Sequence, residues 1–380
     1  MPQSRGPGES DRYAGFRVTP WVHHCGRFVA RYSDFWIRLG DQETRLRRED
    51  IAGIAVKKPI FVSGLARSGT TILLEVLAGH PRLTSHRYKD YPFLFTPLLW
   101  NRFLSCVPTH GAVAAERSHA DGIAVTAESP EAFEEVLWMA FFSGLHDPRH
   151  CNVLDADTSH PQFERFYRDH IRKLLRVRGG ARYLAKANYN VTRLEYLLKI
   201  FPDARFILPL RAPRGQIASL VKQHRLFCAG ERAHPRALHH MRRIGHFEFG
   251  LDRRPVNTGD GAVPAILEAW DRGEEVEGWA LYWASLYGYL ADRLAAVPDL
   301  AAAVKLVRFE DLCRHPFEVL SAVCDHCHLE ERAHLVAEAA EMMRMPRYYR
   351  PDFTDAEEDS IERLAGPVAR RFGYADSAGL

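Results

Sequence analysis

The chain has 380 residues, 46% of them hydrophobic, enough for one large core or two modest ones. Its 51 Lys and Arg against 48 Asp and Glu leave a net charge of +3, which excludes a polyelectrolyte chain and gives no argument for a nucleic-acid partner. The seven cysteines are scattered and odd in number, which speaks against a disulfide framework and for a reducing compartment.

Residues 1–12 are polar and read as disordered, with no apolar stretch of the kind a secretory signal needs. No run approaches the roughly 20 apolar residues of a spanning helix, so a soluble, cytoplasmic protein is expected. Residues 13–50 mix aromatics (Phe16, Trp21, Phe28, Tyr32, Phe35, Trp36) with Arg17, Arg27, Arg31 and Arg38. That mixture predicts one or two amphipathic helices packed on the main domain, and it also suits a peripheral membrane contact. Residues 1–56 are therefore set apart as an N-terminal extension, and 57–380 as the main domain.

From Pro59 the pattern changes. "PIFVSG" reads as a buried strand and "TTILLEVLAGHP" as a helix stopped by Gly79 and Pro81. "RYLAK" (182–186) and "RFILPLR" (205–211) read as strands, each with a helix behind it. "VKLVRFEDL" (304–312) reads as a fourth strand, followed by a helix from Pro316 to Cys327. Strands alternating with helices predict an α/β fold with a parallel sheet covered on both faces. Pro209 cannot donate to a ladder and marks a bulge near its strand's end. Residues 223–300 are read as a helical insertion, and the arginine-rich 223–260 as a basic lid or a solvated surface. Cys324 and Cys327 form a lone C-x-x-C at a helix end and predict no metal site.

In open parallel sheets ligands bind beyond the carboxyl ends of the strands. Here Arg67 follows the first strand, Lys186 ends the second and Arg211 ends the third. Arg67 lies inside a loop bounded by Gly64 and Gly69, at a helix start, where backbone N–H groups make an anion cradle. Thr70 and Thr71 add hydroxyls. Thr70 stands where a nucleoside-triphosphate loop has its lysine, so a ligand other than ATP or GTP is expected. Arg211 and Ser219, eight residues on, form a second compact anion site.

These stretches resemble the sulfotransferase family that uses 3′-phosphoadenosine 5′-phosphosulfate (PAPS). "PIFVSGLARSGTT" looks like the family's 5′-phosphosulfate loop and "RFILPLRAPRGQIASL" like its 3′-phosphate segment. "FPDAR" and "VRFEDLCRHP" also resemble it. The resemblance implies a three-layer α/β/α sandwich with a central parallel sheet, like that of P-loop NTPases. It implies sulfonate transfer from PAPS to an acceptor hydroxyl, without a metal. It places Arg67 at the bridging oxygen, Ser68, Gly69, Thr70 and Thr71 at the 5′-phosphate, and Arg211 and Ser219 at the 3′-phosphate. Lys186 matches a lysine that stabilises the transition state.

The reaction needs a general base near the acceptor. By the family's pattern it falls in "HPRLTSHRYKDYP", with Asp90 first and His86 second. The competing reading of Asp90 is a salt bridge to Lys89 or Arg87. Glu134 and Glu135 read as one helix face, and Glu248 as a distant candidate. The aromatic stretch 91–103 and the basic segment suit an acceptor with apolar and polar parts, such as a carbohydrate or glycolipid. Two other classes stay open: a P-loop kinase or NTPase, and a non-catalytic protein that binds a nucleotide or a glycan.

Overall fold

The computed structural model describes residues 13–106, 115–116, 119, 124–343 and 352–374; the expectation for residues 1–12 lies outside them. The strands in chain order are β1 (Ile60–Val62), β2 (Leu83–Thr84), β3 (Ala115–Glu116), β4 (Ala124–Val125), β5 (Arg182–Lys186), β6 (Arg205–Leu210) and β7 (Val304–Arg308). Five of them form a parallel sheet in the order β2-β5-β1-β6-β7. β3 and β4 pair antiparallel on their own.

β1 is central and has no solvent-exposed side chain, as its unbroken apolar run demands. Its side chains alternate between two cores. Phe61 enters the larger one, where its ring lies 5.7 Å from that of Phe206 and 6.2 Å from Phe201. Ile60 and Val62 enter the other, with Leu184 and Ile207 from the neighbouring strands. The helices Thr70–Ala78 and Pro316–His326 close the Ile60–Val62 face through Leu73, Leu77, Leu320 and Val323. The helices Pro161–Arg178, Pro213–Ala233 and Glu275–Ala296 close the Phe61 face through Phe163, Ile217 and Trp283. The fold is thus a three-layer α/β/α sandwich. Each such buried side chain contributes about 1.5–3 kcal/mol.

The expected strand 304–312 is shorter: β7 ends at Arg308 and residues Phe309–Arg314 form a helix. Glu310 and Asp311 fall in its first turn, where carboxylates favour helix over strand. Pro209 lies in regular pairing with Val307 rather than at a bulge. The β1–β6 ladder stops at Val62–Ile207, so the missing N–H falls where β1 has already become loop.

Residues 13–50 hold two long helices, Pro20–Arg31 and Ser33–Leu46. Thr19 caps the first, accepting from the Val22 N–H, with Pro20 at the first helical position. The second is fixed by a buried ion pair, Lys173 Nζ to Glu43 Oε2 at 3.0 Å. Within the expected insertion, Glu275–Ala296 is core: Trp279, Trp283 and Tyr287 are fully buried. Arg253 is held by Glu275 and Arg242 by Asp252, both at 2.6 Å. Cys324 and Cys327 are buried in the smaller core beside Leu320 and Val323.

Candidate active site

The parallel register brings the carboxyl ends of β1, β5 and β6 to one edge of the sheet. The loop after β1 turns through left-handed conformations at Arg67 (φ 69°) and Gly69 (φ 105°). For arginine this costs of order 1–3 kcal/mol, and such strain concentrates at ligand clamps. Gly69 stands at the N-cap of the helix Thr70–Ala78 and offers no side chain to its first-turn N–H groups. A Cβ at Gly69 would fall 3.0 Å from the Phe309 ring.

Around this loop the predicted cations converge. Arg67 donates from Nε to Ser219 Oγ at 3.1 Å. Arg211 reaches the Arg67 carbonyl from Nη1 at 3.5 Å and lies over the Phe309 ring, 4.9 Å from its centroid. On the other flank Thr70 Oγ1 donates to Asn188 Oδ1 at 3.2 Å, and Asn188 Nδ2 donates to Glu248 Oε1 at 2.7 Å. The second Glu248 oxygen lies 3.4 Å from His246 Nδ1. Burial pushes the Glu248 pKa up, but His246, Lys186 and the Asn188 amide outweigh it and hold the carboxyl below its usual range. A charged acceptor, not a neutral acid, therefore stands beside Lys186.

A cavity of about 410 Å³ opens on this edge. Arg67, Thr70, Thr71, Lys186, Asn188 and Glu248 form its polar floor. Phe16, Val18 and Val22 close it from the N-terminal segment, and Ala237, His240 and Met241 from the helix Pro235–Ile244. None of the arginines of that helix is among the residues that line the cavity. Burial first, then Arg243, pushes the His240 pKa down to about 4, so its ring is neutral near pH 7. Burial raises Tyr91 to about 12, which keeps its phenol protonated.

The structure separates the predicted site residues into three groups. Arg67, Thr70, Thr71 and Lys186 line the cavity, and Arg211 and Ser219 stand against Arg67. Ser68 is fully buried and outside the cavity wall; its neighbour Gly69 forms the turn below. Asp90 and His86 also lie outside that wall. Asp90 is ion-paired with Arg178, accepts from the Arg87 N–H at 2.9 Å and lies 3.5 Å from His86 Nδ1. Its salt-bridge partner is thus Arg178 rather than Lys89 or Arg87, whose side chains both engage Glu128. His86 stacks on His170 with 5.0 Å between ring centroids.

Two other carboxylates are spoken for. Glu135 sits between Arg193 (2.8 Å) and His146 (2.6 Å), and Glu134 accepts from Tyr183 at 2.8 Å and from Tyr167. Glu131, which the sequence reading passed over, lines the cavity and accepts from the Ala132 N–H at 2.6 Å. The signal that could have found it is its place in "ESPE", immediately before the helix that carries Glu134 and Glu135.

Residues 59–247 match the model of the sulfotransferase family. The chain is similar to the sulfotransferase STF9 from Mycobacterium avium, with 16% identity over 93% of this chain and 85% of that one, and a TM-score of 0.52. It is also similar to the sulfotransferase STF1 from Mycobacterium tuberculosis H37Rv, with 15% identity over 99% and 94% of the two chains and a TM-score of 0.47. No curated protein sequence matches. Residues 59–247 carry the loop, β1, β5 and β6, and it is over this stretch that the chain is similar to the sulfotransferase family.

Proposed function

We propose that this protein transfers the sulfonate of PAPS to a hydroxyl of an acceptor held in the cavity. The observation that carries the reading is the joining of Arg67, Ser219 and Arg211 at a loop that leads into a helix N-terminus capped by Gly69. A loop for one phosphate and a separate guanidinium–hydroxyl pair suit a nucleotide phosphorylated at two places. The loop N–H groups and Thr70 and Thr71 would hold the 5′-phosphosulfate end. Arg211 and Ser219 would hold the 3′-phosphate.

PAPS supplies an activated sulfonate. The acceptor oxygen bonds to sulfur as the bond to the bridging oxygen breaks, and 3′,5′-bisphosphoadenosine leaves. Arg67 and Lys186 stabilise charge spreading over the sulfonate and the leaving oxygen. Glu248 takes the acceptor proton: it is ionised, it lines the cavity, and Asn188 ties it to the loop hydroxyl of Thr70. His246 positions it. Glu131, in the cavity wall with its carboxylate accepting from the Ala132 N–H, is the second candidate for the base. Asp90 and His86 are assigned a structural role. The aromatic wall and the neutral His240 and Tyr91 suit an acceptor with an apolar body, such as a small alcohol or a glycolipid.

The test is calorimetric titration with 3′,5′-bisphosphoadenosine, beside ATP with Mg²⁺. Tight metal-independent binding of the bisphosphate supports the reading. Binding of ATP–Mg²⁺ alone overturns it in favour of a P-loop kinase.

A further inference from the structure

The helix Pro20–Arg31 presents two different faces. Inward, Thr19 and Val22 line the cavity. Gly26 lies so close to Tyr91 that a Cβ there would fall 2.3 Å from the Tyr91 hydroxyl, so only glycine lets the helix reach this wall. Outward, Trp21 is 59% exposed, Phe28 48% and Tyr32 51%; Phe35 on the next helix is 52% exposed. The seven-residue spacing puts Trp21 and Phe28 on one side of the helix, and Phe28 touches Tyr32 at the junction with the next.

These rings are not isolated. Phe28 touches Tyr32 (5.3 Å between centroids) and Trp36 (5.9 Å), and Phe35 touches Trp36 (5.5 Å). Trp36 leads to Phe93 (5.2 Å), and Phe93 to Trp100 (4.6 Å) and Trp21 (6.5 Å). Trp100 stacks on Phe103, which is 55% exposed. Single exposed aromatics are ordinary, but a connected surface of them marks an interaction site.

Charge decides among occupants. The helix Pro20–Arg31 contains no acidic residue, and Arg27 and Arg31 are exposed on it, as are Arg38 beyond Phe35 and Arg102 beside Phe103. Asp34 is the exposed acid at this face. In a two-fold dimer through this surface the arginines of both copies would meet with only Asp34 to offset them. Aromatic rings between arginines instead match the boundary of an anionic bilayer, where rings enter the acyl boundary and guanidinium groups meet the headgroups. No described helix is long and apolar enough to cross a membrane, so the contact is with the surface. We propose that this aromatic–arginine face docks on an anionic lipid surface, which brings the cavity wall formed by the same helix to headgroup level.

The proposal does not depend on the sulfonate-transfer reading. Its test is flotation of the full chain with vesicles of phosphatidylcholine and phosphatidylglycerol, beside pure phosphatidylcholine. Two double variants separate the contributions: Phe28→Ser with Phe35→Ser, and Arg27→Glu with Arg31→Glu. Wild-type protein is expected to float with the mixed vesicles and to be released by salt. Each double variant is expected to lower partitioning by about tenfold or more, with bisphosphate binding unchanged as the proof of folding. Absence of flotation by the wild type, or equal flotation by the variants, overturns the proposal. So does a dimer in light scattering that Phe28→Ser with Phe35→Ser makes monomeric, which would make the face a subunit interface. Flotation without bisphosphate binding would instead sink the catalytic reading alone.

Discussion

Arg67 and Ser219 are 152 residues apart and share a 3.1 Å hydrogen bond, from Nε to Oγ. The contact locks the loop after β1 to the helix after β6. In the proposed reading, one ligand with two anionic ends is gripped by both units. Arg67→Ala removes a cation and this tether; Arg211→Ala removes the cation that leans on Phe309. Each should weaken 3′,5′-bisphosphoadenosine binding roughly 10–100-fold, the value of a hydrogen bond to a charged group. Ser219→Ala should cost less, because a hydroxyl donor is lost while both guanidinium groups remain. Calorimetry with the three variants checks the order. Equal affinity in all three would remove this corner from the binding site.

Glu248→Gln keeps the size of the side chain and its acceptor for the Asn188 amide, but removes the charge. Turnover should fall about a hundredfold or more, the usual contribution of a general base, while bisphosphate affinity stays within a few-fold. The wild-type rate should rise with pH across the acid range as Glu248 ionises, and its depressed pKa places that rise below the ordinary glutamate range. Glu248→Gln should lose this limb. If Glu131→Gln loses turnover and Glu248→Gln does not, the base is Glu131 rather than Glu248.

Much of this site could be read from the chain because each cation directly follows an apolar run. Val62, Ala185 and Leu210 close the buried apolar runs of β1, β5 and β6; Lys186 and Arg211 come next in sequence, and Arg67 follows in the glycine-bounded loop after β1. Local sequence carries that information. The strand order does not have a local signal: β1 pairs with β5 more than 100 residues away, and the two-residue β2 has no pattern of its own. The reading of 304–312 as one strand ran too far, since the helix Phe309–Arg314, with Glu310 and Asp311 in its first turn, starts directly after Arg308. Asp90 looked like a base because it follows the first helix. What decides its environment is Arg178, 88 residues later. Glu248 was only a distant candidate because the residue that aims it, Asn188, belongs to another strand–helix unit.

The buried Glu135–Arg193 pair should show in the pH dependence of stability. Burial raises the Glu135 pKa, but Arg193 and His146 outweigh it and bring it from 4.5 to about 2. A depressed folded-state pKa means stability that is fully present above the unfolded value. It declines as pH falls below about 4.5 and is gone below about 2. Arg193→Met leaves Glu135 buried with His146 alone and should destabilise by about 3–5 kcal/mol at neutral pH. Chemical denaturation between pH 2 and pH 7 should find the gap between wild type and variant closing toward the acid end. A constant gap would mean that Arg193 acts by packing against the Trp138 ring, 4.9 Å from its guanidinium, rather than by charge.

Asp90→Asn separates a structural carboxylate from a catalytic one. Asp90 is buried against Arg178 and His86, and these partners outweigh its burial and hold its pKa below the ordinary aspartate range. Its contribution is therefore present above that range and lost as pH falls through the folded-state value. The amide retains the shape and can still accept from the Arg87 N–H, but it leaves the nearly buried Arg178 guanidinium without its counter-charge. The expected loss is of order 3 kcal/mol of stability, with kcat and bisphosphate affinity near wild type well below the melting temperature. Arg178→Met should destabilise similarly, and the double variant less than the sum, because the two losses are one interaction. Thermal unfolding of the three variants measures that coupling. A loss of turnover in Asp90→Asn at unchanged stability and unchanged bisphosphate affinity would return the base to Asp90 and remove it from Glu248.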